Sequence, residues 1–126
     1  MIQNSFLVFV GGGAGAVARF LLSTAIQRVH GTAFPWGTLA VNLIGCFLIG
    51  MLWSLAGRVS MPFTFSIFLF AGVLGGFTTM SSFGLEAFSL FHDGAWRSAV
   101  VYILLTNLLG LGLTAAGFFI TEFLFN

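Results

Sequence analysis

Hydroxyl side chains, glycines and a carboxylate are concentrated in one short stretch of an otherwise apolar sequence. The stretch is GGFTTMSSFGLE, residues 75–86, and it lies inside a long apolar segment, residues 61–91. We expect that segment to be a membrane helix. In lipid, irregular backbone is tolerated only where it is buried in protein or lines a wet cavity. We therefore predict a break in this helix that serves as an ion or substrate site.

The hydroxyl groups around the predicted break could replace the hydration of a permeating ion. We single out Thr78, Thr79, Ser81, Ser82, Thr106 and Thr114 as candidates. Each hydroxyl taken alone is more often bonded back to a carbonyl of its own helix. Glu86 follows Ser82 by about one turn, and its carboxyl group could be protonated, paired or hydrogen-bonded. We do not expect it to be a free charge if anions pass nearby.

Further polar candidates inside apolar runs are Arg19, Asn42 and Asn107. An arginine inside a bilayer costs at least about 2.5–3.5 kcal/mol, so Arg19 either attracts anions at a vestibule or snorkels and binds a carbonyl. For Asn42 we favour a donor role along a pore. For Asn107 we favour a hydrogen bond between helices.

The composition excludes a soluble domain. Of 126 residues, 59% are hydrophobic and 6% charged, whereas soluble domains carry about 25% charged residues. The N-terminus lacks a basic region and a cleavage site, so we expect the first apolar run to be retained. A net charge of +1 gives no reason to expect nucleic acid as a partner. His30 and His92 match no nucleophile–base or metal-ligand pattern, so we do not expect an enzyme.

Four apolar runs are long enough to cross a bilayer, which needs about 20 residues. They cover residues 4–26, 35–57, 61–91 and 95–124. Gly11 and Gly15 are four apart, as are Gly72 and Gly76, and this spacing lets membrane helices approach closely. The sequence thus predicts an all-α integral membrane protein, one four-span domain over residues 1–126, with its third helix broken in mid-membrane.

The charges are nearly balanced between the two ends of the predicted spans. If the spans alternate, Arg58 and Glu122 lie on the N-terminal side, and Arg28, Asp93 and Arg97 lie on the other. The positive-inside bias that normally fixes orientation is therefore nearly absent. A four-span subunit is also small for enclosing a pore. Together these features favour an antiparallel dimer with a two-fold axis in the membrane plane.

The break motif, with Asn42-x-x-Gly45 in the preceding span and a glycine-rich run leading to Arg19, resembles the Fluc family of bacterial fluoride channels. The resemblance extends over the whole chain in length and four-span layout. It implies an antiparallel, dual-topology homodimer in the bacterial inner membrane, with two pores that export fluoride by passive electrodiffusion. It also implies a structural sodium ion at the dimer interface, bound by backbone carbonyls of Gly75 and Thr78 from both subunits.

The same resemblance assigns the fluoride pathway. The family's pore asparagine falls on Asn42 and its vestibule arginine on Arg19. Its polar track falls on Ser81, Glu86, Tyr102 and Thr114. The family also has two phenylalanines three residues apart, but here the first is Met80 and only the second, Phe83, is aromatic. Methionine is polarizable and flexible, yet it offers no ring edge of the kind that can contact an anion.

Two other functions remain as alternatives. A small proton-coupled multidrug transporter also has four spans and dual topology, but it needs a membrane-embedded acid early in the chain. The first span here carries Arg19 and no acid. A helical scaffold without transport activity would leave the polar residues at the predicted break unexplained.

Overall fold

The computed structural model describes residues 1–126, and all of its regular secondary structure is helical. Four helical spans are long and apolar enough to cross a membrane: span 1 (Ile2–His30), span 2 (Trp36–Arg58), span 3 (Phe63–His92) and span 4 (Trp96–Leu124). The four predicted spans are therefore confirmed. Span 1 continues past its apolar run, which ends at residue 26, as far as His30. Its last turn carries the basic residues Arg28 and His30 at the negative end of the helix dipole, which favours this extension.

Glycines bring spans 1 and 3 into backbone contact. A Cβ atom built on Gly72 would lie 3.1 Å from the Cα of Gly11, and one built on Gly15 would lie 2.9 Å from the backbone nitrogen of Phe77. Real Cβ contacts at such distances require a shift of the neighbouring backbone. The close helix approach predicted from the glycine spacing is confirmed, and it positions the segment that precedes the polar stretch.

Spans 2 and 4 pack together in the same way. A Cβ on Gly117 would lie 3.0 Å from the backbone nitrogen of Met51. At one end of this pair, Arg58 forms a salt bridge of 2.8 Å with Glu122, whose carboxylate also accepts a 2.7 Å hydrogen bond from Ser54. These contacts hold the two helices at a fixed separation.

Span 3 changes its backbone conformation along its length. It is α-helical over Phe63–Ser66, π-helical over Ile67–Leu74 and α-helical over Gly75–Phe77. Thr78 and Thr79 then have extended backbone, with φ and ψ of −88° and 160° and of −149° and 122°. A new helix runs over Met80–His92, and the Thr79 side chain caps it by accepting a 3.3 Å hydrogen bond from the backbone nitrogen of Ser82. The regular helical hydrogen bonding is thus interrupted within the polar stretch.

Span 4 contains a second π-helical segment. It is α-helical over Trp96–Leu104, π-helical over Leu105–Leu109 and α-helical again over Gly110–Leu124. Such π turns inside α-helices occur frequently at functional sites. Here the π turn carries Thr106 and Asn107, which face the same cavity as the interrupted part of span 3.

Candidate ion pathway

A cavity of about 420 Å³ lies where spans 2, 3 and 4 meet at the interruption. It brings together six of the residues that the family resemblance assigns, Asn42, Gly75, Thr78, Met80, Phe83 and Thr114. Thr79, Thr106 and Asn107, also considered from the sequence, line it as well. Ser81, Glu86 and Tyr102 do not line this cavity, and Arg19 reaches the interruption from span 1. The predicted site residues therefore fall into three groups. One lines the cavity, the second consists of Ser81, Glu86 and Tyr102, and the third is Arg19 alone.

Asn42 is bonded to the extended backbone of span 3. Its Nδ2 donates to the carbonyl oxygen of Thr79 at 3.0 Å, and its Oδ1 accepts from the nitrogen of Thr79 at 2.8 Å. Asn42 is buried, where an unpaired backbone group would be costly. The side chain therefore replaces helical partners that the extended residues have lost, a task the sequence did not reveal.

This pairing changes the hydrogen bonding of Gly75. In an uninterrupted helix the N–H of Thr79 would donate to the Gly75 carbonyl, four residues earlier. Here the N–H of Thr79 donates to Asn42, while the N–H of Thr78 donates to Leu74 at 3.1 Å. The Gly75 carbonyl is thus released from its usual partner beside the cavity. Backbone carbonyls of unwound membrane helices are the groups that coordinate Na⁺ in transporters, so the residues present fit a monovalent cation.

Arg19 binds the neighbouring carbonyl. Its Nη1 donates to the carbonyl oxygen of Thr78 at 3.0 Å, in a partly buried contact. Of the two roles considered for this arginine, carbonyl binding is observed within the subunit. The contact also places a positive charge beside the interruption, so it is compatible with an effect on anions nearby.

Glu86 is held by hydroxyl donors from two other spans. The Thr38 hydroxyl donates to its Oε1 at 2.7 Å, and the Tyr102 hydroxyl donates to its Oε2 at 2.8 Å. Tyr102 is fully buried. Glu86 is thus hydrogen-bonded, one of the states considered from the sequence. The sequence reasoning missed Thr38, although it lies four residues before Asn42 and so on the same face of the helix.

Met80 and Phe83 differ in their surroundings. Met80 is 76% exposed, whereas Phe83 is 7% exposed and packs against Tyr102 with ring centroids 5.2 Å apart. Phe83 therefore separates the cavity from the Glu86–Tyr102 pair. Ser81 is exposed, and its hydroxyl lies 3.5 Å from that of Thr79.

Two polar side chains of span 4 form hydrogen bonds within their own helix, and a third has no hydrogen-bond partner. The Thr114 hydroxyl donates to Gly110 at 3.0 Å, and the Asn107 side chain donates to Ile103 at 2.8 Å, both within their own helix. Within this subunit the interhelical bond expected for Asn107 is not observed, because its side chain donates to the carbonyl one turn back in its own helix. The hydroxyl of Thr106 is buried and has no hydrogen-bond partner.

The sequence matches the family model described as CrcB-like protein, Camphor Resistance (CrcB), over residues 6–118. This chain belongs to the CrcB family. Similar relatives are named "Fluoride-specific ion channel FluC". The protein from Agrobacterium fabrum is 47% identical over 115 residues, with 90% of this chain and 92% of the relative covered. The one from Desulfotalea psychrophila is 41% identical over 121 residues, with 96% and 94% covered.

The CrcB match confirms the resemblance stated from the sequence. A third relative with the same name, from Azobacteroides pseudotrichonymphae, is 41% identical over 124 residues, with 98% of this chain and 99% of that protein covered. Every cavity residue named above, from Asn42 to Thr114, lies within the region that the CrcB model matches. With four membrane-spanning-type helices, this CrcB-family chain is a multi-pass membrane protein.

Proposed function

We propose that this chain is the subunit of a fluoride-selective channel, through which fluoride leaves the bacterial cytoplasm by passive electrodiffusion across the inner membrane. The observation that carries the proposal is the cavity at the interrupted helix of a CrcB-family chain, where Asn42 and Thr106 are among the lining residues. The similarity to proteins named fluoride-specific ion channels, 41% and 47% identical in the relatives above, supports the choice of ion.

Fluoride is small and strongly hydrated, so its path must supply many weak positive contacts as water is shed. Asn42 is suited to one of them. Its Nδ2 carries two N–H groups, and one is used by the Thr79 carbonyl. The second N–H is the donor we assign to the ion. The edge of the Phe83 ring and the polarizable side chain of Met80 supply further contacts that are weak enough for release.

Beyond Phe83, the polar track continues to Ser81, Glu86 and Tyr102. The Tyr102 and Thr38 hydroxyls both donate to Glu86 in the observed arrangement. A hydroxyl can rotate, so each can exchange its bond to Glu86 for a bond to a passing anion. In this way Glu86 holds the two donors ready without presenting an unshielded negative charge. On the other side of the interruption, Arg19 raises the local concentration of anions.

We further propose an antiparallel homodimer, surrounded by lipid, whose subunits share a structural sodium ion. The carbonyls of Gly75 and Thr78 would hold it in both subunits. Bound sodium supplies a fixed positive charge that balances the carbonyl dipoles. The release of the Gly75 carbonyl from helical hydrogen bonding supports this assignment.

Fluoride efflux from liposomes holding the purified protein, followed with a fluoride electrode, tests the function. We expect efflux at channel rates without dependence on a proton gradient, and no sodium current at zero fluoride. A proton-coupled multidrug transporter, the alternative, would move organic cations only under a proton gradient. Absence of fluoride efflux from folded protein would refute the channel function. A sodium conductance would refute the structural role of the cation site, because sodium would then permeate.

A further inference from the structure

We infer that Arg19 determines the specificity of the proposed cation site, because it shares the Thr78 carbonyl with the bound ion and thereby excludes divalent cations. This inference rests on the proposed function, which includes the sodium site. It assigns to Arg19 a task beyond attracting anions.

The geometry makes the sharing possible. The guanidinium Nη1 donates to the Thr78 carbonyl oxygen at 3.0 Å. A carbonyl oxygen has two lone pairs, so this hydrogen bond leaves one for a cation. Arginine remains charged at all physiological pH values. Any ion bound by Thr78 therefore lies close to a permanent positive charge.

The packing of span 1 against span 3 keeps the backbone of Arg19 close to that of Thr78. Gly15 lies one turn before Arg19 and contacts the backbone of Phe77, the residue just before Thr78. A Cβ on Gly15 would come within 2.9 Å of the Phe77 nitrogen. The backbones that carry the guanidinium and the carbonyl are thus held together, and the charge stays near the site.

No carboxylate neutralises this charge within the subunit. Glu122 is paired with Arg58, and Asp93 lies beside His92. Glu86 accepts its bonds from Thr38 and Tyr102. Divalent calcium prefers sites that contain carboxylates, and the carbonyl site offers none. Coulomb repulsion by Arg19 scales with the charge of the bound ion, so it acts twice as strongly on a divalent cation.

Equilibrium binding of radiolabelled sodium and calcium to the purified dimer tests the inference directly. In the unmodified protein, a hundredfold excess of calcium should not displace sodium. Arg19→Gln removes the charge but keeps a donor for Thr78, and it should tighten binding of both ions. Because the repulsion is proportional to charge, roughly tenfold tighter sodium binding should accompany roughly hundredfold tighter calcium binding. Arg19→Lys keeps the charge and should resemble the parent.

The outcomes separate the inference from the function on which it rests. Equal tightening for sodium and calcium, or none, in Arg19→Gln would overturn the inference and leave the channel and its sodium site intact. Should that variant not fold, displacement of sodium by equimolar calcium in the unmodified protein would overturn it equally. A parent that binds no sodium removes the sodium site itself, and with it this inference, while fluoride efflux decides the channel separately.

Discussion

Asn42 and Thr79 form a closed pair of hydrogen bonds at the interrupted helix, with N–O distances of 2.8 and 3.0 Å. The carboxamide is one of few side chains that can accept from a backbone N–H and donate to the adjoining C=O at once. Thr79 has extended backbone and lacks helical partners for these groups. Asn42 also lines the cavity. The amide that stabilises the interruption is therefore beside the proposed ion path.

Asn42→Asp tests the two roles of this residue. The change keeps an acceptor for the Thr79 nitrogen, removes the donor to its carbonyl and adds negative charge beside the path. We expect fluoride flux to be nearly abolished in liposomes. Asn107→Asp is the matched control, since it places the same charge at the same cavity without touching the interruption, and it should reduce flux less. Normal flux in folded Asn42→Asp protein rules out the pore role, and loss of the dimer alone points to helix packing.

The side chains of Met80 and Phe83 should contact the ion rather than only fill space. Phe83→Ile replaces a ring edge by an aliphatic branch of little polarizability, so flux should fall strongly. Met80→Ile should reduce flux more than Met80→Phe does, and the unmodified protein should still conduct. Efflux rates in liposomes decide the matter. If either isoleucine variant conducts as well as the parent, ion contact by these side chains is the wrong explanation.

Thr38 and Tyr102 should contribute to stability through one shared carboxyl group. Removing the donor in Tyr102→Phe leaves an acceptor of Glu86 unpaired and should lower the free energy of unfolding by about 1–3 kcal/mol. Because both donors bind Glu86, the double variant with Thr38→Val should be non-additive. Thr121→Val is the control for losing a buried hydroxyl that does not contact Glu86, because the Thr121 hydroxyl donates to Gly117 of its own helix. Simple additivity in denaturation of the purified protein would contradict the shared role.

The contact between spans 1 and 3 should tolerate no side chain at Gly15. Gly15→Ala places a methyl group against the backbone of span 3, so we expect a destabilisation of about 1–3 kcal/mol, typical of overpacking. Gly13→Ala is the matched control, because nothing lies within 4 Å of a Cβ at that position. Thermal unfolding in detergent compares the two variants. Equal melting temperatures would show that the crossing is more adaptable than its distances indicate.

Orientation in the membrane should be mixed. The arginines divide almost evenly between the two ends of the spans, and Arg58 is paired with Glu122. A tag at the C-terminus should therefore be accessible from both sides of the membrane in roughly comparable amounts. Accessibility from one side only would refute the antiparallel dimer.

The sequence alone determined the four helical spans and where to look for a candidate site. Four apolar runs must become helices, since a bilayer provides no partner for backbone polar groups. The glycine spacing of Gly11, Gly15, Gly72 and Gly76 could likewise be interpreted from the sequence, because a missing side chain has a direct consequence for helix contact. Polar residues in an apolar segment are costly, so their concentration over residues 75–86 indicated a candidate site.

Only the tertiary structure decided which polar groups meet. Asn42 and Asn107 have similar sequence surroundings, yet one binds the backbone of Thr79 and the other its own helix. Thr38 and Glu86 are 48 residues apart and form a 2.7 Å hydrogen bond. Hydrogen bonds act over about 3 Å, so they depend on how helices rotate and cross. That rotation follows from the packing of all spans together, which no local pattern of residues contains.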